Sequence, residues 1–393
     1  MVVRSCVLIV LSVILFTSCK RVKEDIDNPV LGNETVTFMI TRLPDNHQFK
    51  DDIYLSGNFE GWSGGRPRFK LSKLDKQYVM TLPKYKEQIS FKFTLGSWDK
   101  VECAQNGNPI ENRSYIFNKL NDTVDVEIVK WHDSMITDKS STASKNVEVF
   151  SSTFYIPQLK RTRKISVYLP PSYEVTNNSF PVLYMLDGQN VFDASTSYSG
   201  EWEVDETLNN LYKEKGFELI VVAIDHGADK RVNEYSAWNS KKYGLGEGDA
   251  FLNFITQHLK PAIDKHYRTK TGPLNTAILG SSLGGLFAHF TAFKEPEVFG
   301  LVGVFSPSFW YTNECYTFTK ERAHGTHSRL YYLAGEKESD SMVFNINKMV
   351  KLIKSEGFPE KNIYLKVNPN GTHSEIFWRD EFQEAITWLF QIK

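Results

Sequence analysis

The stretch Gly280-Ser281-Ser282-Leu283-Gly284 fits the pattern G-x-S-x-G. An apolar, partly β-branched segment at 276–279 precedes it, and residues typical of a helix follow it. In that context the pattern indicates a strained strand-to-helix turn that exposes a serine side chain. Gly280 and Gly284 let the strand and the helix approach closely, and the helix N-terminus directs partial positive charge at the turn. The stretch therefore predicts that Ser282 is a nucleophile.

A serine hydroxyl is a weak nucleophile and needs a general base. In enzymes with this turn the chain order is serine, acid and then histidine, so the histidines after Ser282 are the candidates. These are His289, His324, His327 and His373. The first is expected to pack within the fold on the helix after Ser282, and the next two lie in a polar stretch that predicts a solvated loop. His373 follows a strand-like segment, 363–367, and a turn, so it is the predicted base.

The third group should orient the imidazole and stabilise its charged form. It should follow the strand-like segment 330–333, where Glu336, Glu338 and Asp340 are available. The pattern by itself leaves the choice among these carboxylates open.

The chain changes its pattern of apolar residues near residue 146. Beyond that point, continuous apolar segments alternate with helical ones, which predicts an α/β domain with a mostly parallel sheet covered on both faces. Between 35 and 131, short alternating runs bounded by Gly, Pro, Asn or Asp predict an all-β, immunoglobulin-like sandwich. Residues 132–145 contain few apolar side chains and are interpreted as a linker.

Residues 1–19 have the features of an export signal. Arg4 is followed by an apolar run at 7–16, which is shorter than the roughly 20 residues of a membrane span. The run ends in Phe16-Thr17-Ser18-Cys19, which resembles the lipobox of bacterial lipoproteins. That resemblance implies lipidation of Cys19, residues 20–34 as a polar tether, and a membrane-anchored protein in the periplasm or on the outer surface. The alternative is an ordinary secretory signal.

Composition and cysteine usage exclude several classes of function. The formal net charge of the 393-residue chain is −1 and there is no basic block, so nucleic acid is not an expected partner. Cys103 and Cys315 fall in different predicted domains, which argues against a disulfide framework. The sequence has no CxxC, HExxH or calcium-loop pattern, so neither a metal nor a cofactor is expected.

Further motifs accompany the serine turn in the C-terminal region. They are Tyr184-Met185-Leu186-Asp187-Gly188-Gln189-Asn190-Val191-Phe192, Arg231-Val232-Asn233-Glu234-Tyr235, Gly335-Glu336-Lys337-Glu338, and Gly371-Thr372-His373-Ser374-Glu375 with Trp378. In this order they make residues 146–393 resemble the α/β-hydrolase family of esterases that includes feruloyl esterases, esterase D and enterochelin esterases. The resemblance implies Glu338 as the acid, with Asp340 as the second choice.

The positions of other residues on predicted turns and loops indicate where the substrate binds. The backbone N–H groups of Leu283 and of Gln189 or Gly188 should form the oxyanion hole. Asp187 is expected to hold its loop rather than to act in catalysis. The side chains expected to rim the substrate pocket are Trp202, Arg231, Tyr235 and Trp378.

The N-terminal region carries a separate resemblance. Ile53-Tyr54-Leu55-Ser56-Gly57-Asn58-Phe59-Glu60-Gly61-Trp62 and Phe91-Lys92-Phe93-Thr94-Leu95-Gly96-Ser97-Trp98 resemble segments of starch- or glycogen-binding sandwiches. In that family aromatic faces contact sugar rings and polar side chains bond to hydroxyls. The matching residues here are Trp62, Lys92, Trp98 and Asn112. The alternative is a structural partner of the second domain that binds no glycan.

Together these features predict a serine esterase that works through an acyl-enzyme and needs no cofactor. The expected substrates are acyl or feruloyl esters of plant polysaccharide, and the alternative is an ester siderophore of the enterobactin type. A third hypothesis is a glycan-binding surface lipoprotein whose hydrolase domain has lost activity. The complete set of Ser282, Glu338 and His373 argues against that third hypothesis.

Overall fold

The computed structural model of the chain describes residues 34–392, with 61, 76, 85–86, 106, 108–109, 133–140, 198, 242 and 340 excepted. The proposed lipidation site Cys19 and the second-choice acid Asp340 lie outside these residues. None of the helices in the described parts combines the length and apolarity needed to cross a bilayer.

The N-terminal module is built from short strands. They are β1 (Thr35–Arg42), β2 (Tyr54–Gly57), β3 (Ser72–Leu74), β4 (Gln77–Pro83), β5 (Gln88–Thr94), β6 (Glu102–Cys103), β7 (Arg113–Ile116), β8 (Asp122–Glu127) and β9 (Lys130–Trp131). One sheet has the order β3-β4-β1-β8, a second has β2-β5-β7, and β6 pairs with β9. The β1–β8 pair is parallel and the other pairs are antiparallel.

The two larger sheets of this module bury a shared apolar core. Phe38 of β1 lies with its ring centroid 4.6 Å from that of Phe91 on β5, and 6.3 Å from that of Phe93. All three side chains are at most 2% exposed. Alternate residues of β1 face this core, which is the pattern that the sequence predicted for a sandwich.

The C-terminal domain contains one eight-stranded sheet. Its strands are β10 (Val147–Ile156), β11 (Arg161–Tyr168), β12 (Val182–Leu186), β13 (Ile220–Ile224), β14 (Thr276–Ser281), β15 (Leu301–Phe305), β16 (Arg329–Gly335) and β17 (Ile363–Asn368). The order is β10-β11-β13-β12-β14-β15-β16-β17. The β10–β11 and β11–β13 pairs are antiparallel, and every later pair is parallel.

Helices cover both faces of this sheet. They are α1 (Val204–Lys215), α2 (Arg231–Glu234), α3 (Gly248–Phe254), α4 (Lys260–His266), α5 (Leu283–Lys294), α6 (Glu314–Arg322), α7 (Met342–Ser355) and α8 (Glu375–Phe390). α1 and α8 pack on one face, and α3 to α7 pack on the other. Both faces of the sheet are apolar and must be buried. In β12, for example, Tyr184 belongs to the apolar cluster on one face and Leu183 to the cluster on the other. The predicted α/β fold is therefore confirmed.

Some elements differ from the sequence prediction. The expected single helix at 249–265 is divided by a π-helical turn, Ile255–Leu259, because Pro261 has no N–H to donate to the helix that continues. Strands β10 and β11 were not predicted, since β10 lies at the sheet edge and few of its residues are buried. The end of the predicted linker is docked: Thr142 donates to Glu201 at 2.9 Å, and the Ser144 N–H donates to Asp205 at 2.7 Å.

Candidate active site

Ser282 lies in the turn between β14 and α5. Its backbone has φ 59° and ψ −119°, a region that non-glycine residues rarely occupy. A Cβ atom on Gly280 would lie 2.6 Å from the backbone of Gly284, and one on Gly285 would lie 2.5 Å from the Phe305 carbonyl oxygen. The strained turn therefore requires glycine at these two positions, and it presents the serine at the carboxyl end of the sheet.

The structure brings the three predicted triad residues together. His373 follows β17, and its Nε2 lies 3.0 Å from Ser282 Oγ. Glu338 follows β16, and its Oε2 lies 2.7 Å from His373 Nδ1. With the imidazole proton on Nδ1, Nε2 is free to accept the serine proton, which is the arrangement that a general base requires.

Glu338 is held in place by two further donors. Its Oε1 accepts hydrogen bonds from the Gly335 N–H at 2.5 Å and from Ser306 Oγ at 2.7 Å. Ser306 Oγ in turn accepts one from Trp378 Nε1 at 2.8 Å. The glutamate is only 3% exposed, so these bonds replace the water that the carboxylate has lost. Sequence reasoning missed Ser306, although its position directly after β15 could have indicated a role at this edge.

The predicted oxyanion-hole residues lie on neighbouring turns. Leu283 is the first residue of α5, and the first N–H groups of a helix have no partner within it. Gln189 lies in a short 3₁₀ turn, Gly188–Asn190, that follows β12, and β12 is paired with β14. The carboxyl ends of paired parallel strands share one edge, so both backbone amides stand near Ser282.

Asp187 has the structural role that was expected. It adopts a left-handed conformation with φ 55°, and its backbone N–H donates to the Tyr235 hydroxyl at 3.0 Å. Its carboxylate accepts two bonds from Arg231, at 2.6 and 2.8 Å. These contacts fix the loop that carries Gln189.

Most of the side chains predicted to rim the pocket are buried, and one of them, Trp378, packs against the base with its ring centroid 5.0 Å from that of His373. Trp202 and Trp378 are 4% exposed and Tyr235 is 0% exposed, so these three belong to the interior. Trp202 stacks on Phe305 at 5.7 Å between ring centroids. Part of the Arg231 side chain is exposed to solvent, and its guanidinium is paired with Asp187. The prediction was wrong for the three aromatics because position on a loop does not determine which way a large apolar side chain faces.

A different aromatic residue is exposed on the segment that contacts the serine through Ser308. Ser308 Oγ lies 3.4 Å from Ser282 Oγ, and Trp310, two residues further on, is 45% exposed. The ring of Trp310 lies 6.4 Å from that of Tyr243, which stacks on Tyr311 at 5.3 Å. Sequence reasoning missed this group. The aromatic run after β15 was the available signal.

The predicted carbohydrate-binding residues do not form one exposed surface. The rings of Trp62 and Trp98 lie 6.0 Å apart, and Trp98 Nε1 donates to the Trp62 carbonyl at 2.9 Å. Lys92, in contrast, is 5% exposed. The Asn112 side chain donates from Nδ2 to the His373 carbonyl at 3.1 Å. Two of the four residues are thus turned towards the C-terminal domain, which corrects the prediction for Lys92 and Asn112.

The remaining histidines after Ser282 have other environments. His289 is fully buried and lies 2.8 Å from both the Tyr332 hydroxyl and Thr319 Oγ1. Burial lowers the pKa of His289 to about 3, so it stays neutral. His324 and His327 are exposed, as expected for a solvated loop.

One group of carboxylates has the geometry to hold a cation. The ligand atoms of Glu201, Asp205 and Glu206 all lie within 4.8 Å of one another. Burial is the main cause that raises the pKa of Glu201 to about 7 and of Glu206 to about 8. A shared proton therefore relieves the repulsion between these groups as well as a metal would.

Comparison with known proteins identifies the C-terminal domain. Residues 156–389 match a family model described as "Putative esterase". An uncharacterized protein of Bacillus subtilis is 26% identical over 243 residues, covering 58% of this chain and 92% of that protein. An endo-1,4-β-xylanase/feruloyl esterase of Xylanibacter ruminicola is 24% identical over 245 residues. The match covers 61% of this chain but only 31% of the Xylanibacter protein.

Solved structures extend the comparison to both modules. The enterobactin esterase of Shigella flexneri has a TM-score of 0.54 at 15% identity, covering 92% of this chain and 94% of that one. At this identity the likeness establishes the fold alone. The family match spans more than half of the chain, and the protein therefore belongs to this esterase family and is a carboxylic ester hydrolase.

Proposed function

We propose that Ser282, His373 and Glu338 form the catalytic triad of a serine esterase. His373 Nε2 takes the proton of Ser282 as its Oγ attacks the ester carbonyl. The backbone N–H groups of Leu283 and Gln189 hold the resulting oxyanion. His373 passes the proton to the departing alcohol, and then activates water to release the acid from the acyl-enzyme. The 3.0 and 2.7 Å contacts within the triad support this proposal.

We infer that the substrate is an acyl or feruloyl ester of plant polysaccharide. The observation that carries this inference is the pairing of charges around the triad. Arg231 is bound twice by Asp187, and the charge of Lys92 is opposed by the partly buried carboxylate of Glu375. Recognition of an anionic substrate needs cationic side chains that are not already paired with carboxylates of the protein. The cations named here are already neutralised, which suits an uncharged sugar ester.

Aromatic side chains from both modules support the same substrate class. Arg66 of the N-terminal module lies 5.6 Å from the ring centroid of Tyr243, which neighbours the exposed Trp310. Trp62 and Trp98 lie on the same module as Arg66. Flat aromatic faces suit both a feruloyl ring and sugar rings. The relative from Xylanibacter ruminicola, named a xylanase and feruloyl esterase, is consistent with this proposal.

An ester siderophore is the second candidate. The observation that favours it is the fold correspondence with the enterobactin esterase, which extends over both modules. An iron-loaded catecholate is an anion, so this substrate would need a cation other than Arg231 and Lys92, whose charges are opposed by Asp187 and Glu375.

The test compares catalytic efficiency on a feruloylated arabinoxylan oligosaccharide with that on enterobactin, with and without iron. We expect the oligosaccharide to be preferred at least tenfold, and Trp310→Ala to raise KM for it while Phe344→Ala does not. Phe344 is a matched control because it is an exposed aromatic on α7, 68% accessible. Preference for enterobactin would reverse the choice of substrate.

We also propose that the protein is an exported lipoprotein anchored through Cys19. The support is the lipobox-like Phe16-Thr17-Ser18-Cys19 after an apolar run. A membrane anchor would keep the enzyme at the cell surface or in the periplasm, where polymer fragments arrive.

A further inference from the structure

The N-terminal module reaches the loop that carries the predicted base. Asn112 lies just before β7, and its Nδ2 donates to the backbone carbonyl of His373 at 3.1 Å, across 261 positions of sequence. The same peptide segment carries the imidazole that contacts both Glu338 and Ser282. A displacement of this carbonyl would therefore move the ring away from both partners.

A charge interaction also links the module to Glu375, whose carboxylate is bonded to the turn that carries Gln189. Lys92 of β5 is 5% exposed, and Glu375 contributes the largest favourable charge interaction with it. The Glu375 carboxylate accepts a hydrogen bond from Asn190 Nδ2 at 3.3 Å. Burial raises the pKa of Glu375 to about 7, and the charge of Lys92 opposes that rise. The module thus contacts the segment that carries the base, and the charge of Lys92 acts on a carboxylate bonded to the turn of the oxyanion hole.

The position of Asn112 is fixed within its own module. The next residue, Arg113, donates to the buried Glu102 carboxylate at 3.0 and 2.8 Å. Arg113 also pairs in the sheet with Phe91, the neighbour of Lys92. Lys92 lies on β5, and Asn112 directly precedes the strand paired with it, so both are supported by one sheet, which is the requirement for holding a catalytic group in place.

We propose that Asn112 is a positioning residue for His373, so that the N-terminal module completes the catalytic centre and is needed even for small soluble esters. This inference rests on the proposed triad. It differs from a glycan-binding role, because a bond to the His373 carbonyl acts on every substrate alike. It therefore predicts an effect on kcat and none on the binding of a small ester.

The experiment measures kcat and KM of the full-length protein on p-nitrophenyl acetate, together with its inactivation rate by a fluorophosphonate. Asn112→Ala should lower kcat and the inactivation rate about tenfold with KM within about twofold, since small misplacements of catalytic groups are costly. Asn112→Asp keeps the size but replaces the donor with an acceptor, and should lose at least as much. Asn112→Gln keeps the donor and should recover part of the rate. Asn118→Ala, an exposed asparagine of the same module, should behave as wild type.

The outcomes separate this inference from the proposals on which it stands. Normal kcat and inactivation rates in both Asn112→Ala and Asn112→Asp would overturn it. A drop in melting temperature without a change in kcat, measured well below that temperature, would also overturn it and would leave Asn112 a purely structural residue. Full activity of Ser282→Ala would instead refute the triad. Failure on feruloylated oligosaccharide, with small esters still cleaved, would refute only the substrate.

Discussion

Replacing Ser306 with alanine should impair both stability and catalysis, because this hydroxyl joins two buried groups. Ser306 Oγ donates to Glu338 at 2.7 Å and accepts from Trp378 Nε1 at 2.8 Å. Glu338 is 3% exposed and Trp378 is 4% exposed, so water cannot fully replace the lost partner. The carboxylate keeps its bonds to the Gly335 N–H and to His373 Nδ1. Ser306→Ala therefore removes two contacts, whereas Glu338 keeps these two bonds.

The magnitude follows from those two contacts. An unsatisfied buried indole N–H costs about 1–2 kcal/mol, and the charge-assisted bond to Glu338 contributes about as much again, for a total of about 3 kcal/mol. At about 2–4 °C per kcal/mol for a domain of this size, the melting temperature should fall by about 6–12 °C. Catalysis should slow about tenfold, equivalent to about 1.4 kcal/mol, because Glu338 still contacts His373 but has lost one of the bonds that orient its carboxylate.

The assay combines thermal unfolding by circular dichroism with kcat on p-nitrophenyl acetate at 25 °C. Ser328→Ala is the matched control: Ser328 is 4% exposed and its hydroxyl donates to the Phe299 carbonyl at 3.0 Å, beside the opposite end of β16. It should lose stability and keep kcat. Wild-type kcat in Ser306→Ala, or an equal loss of kcat in both variants, would refute the reasoning.

The remaining predictions concern the triad, the acidic cluster and the N-terminus. Ser282→Ala and His373→Ala should each lower kcat by several orders of magnitude with an unchanged circular dichroism spectrum, and the double variant should be little worse, because triad members act as a unit. Burial first, and a hydrogen bond to Asp205 second, raise the pKa of Glu206 from 4.5 to about 8. Its contribution to stability is thus complete below about pH 4.5 and lost as the pH rises through about 8. Glu206→Gln should therefore raise the melting temperature more at pH 9 than at pH 5, whereas Glu214→Gln on the exposed side of α1 should not. Cys19→Ala should move the protein from the membrane to the soluble exported fraction, and intact mass of the mature chain provides the check.

Patterns close together in the sequence predicted the fold and the candidate triad well. The bounds of β12 and β15 were predicted to the residue, because continuous apolar runs in a parallel sheet are buried on both faces. Ser282 was recognisable because a strained turn needs glycines at fixed neighbouring positions. His373 and Glu338 were recognisable because each follows a strand whose carboxyl end must reach the same edge of the sheet.

The contacts between side chains could not be predicted in the same way. Ser306 meets Glu338 and Trp378 across separations of 32 and 72 residues, and no local pattern encodes such a meeting. Trp202 illustrates the opposite error: it was assigned to the pocket from its place on a loop, but its ring is buried against Phe305. A tertiary environment decides the direction of a large side chain, and composition alone does not.

The orientation of the N-terminal module gives two residues a role that differs from the one implied by the family resemblance. Lys92 and Asn112 match positions that contact glucose in starch-binding sandwiches, yet here they face Glu375 and the His373 carbonyl. Desolvation disfavours the charged form of the partly buried Glu375 carboxylate, two residues after the base, and the charge of Lys92 from the other module opposes that effect. Removing the module would therefore expose Glu375 to solvent or leave it without a nearby cation. It would also remove the hydrogen bond from Asn112 to the His373 loop. Selection for ester hydrolysis alone then suffices to retain both residues, whether or not the module binds a glycan.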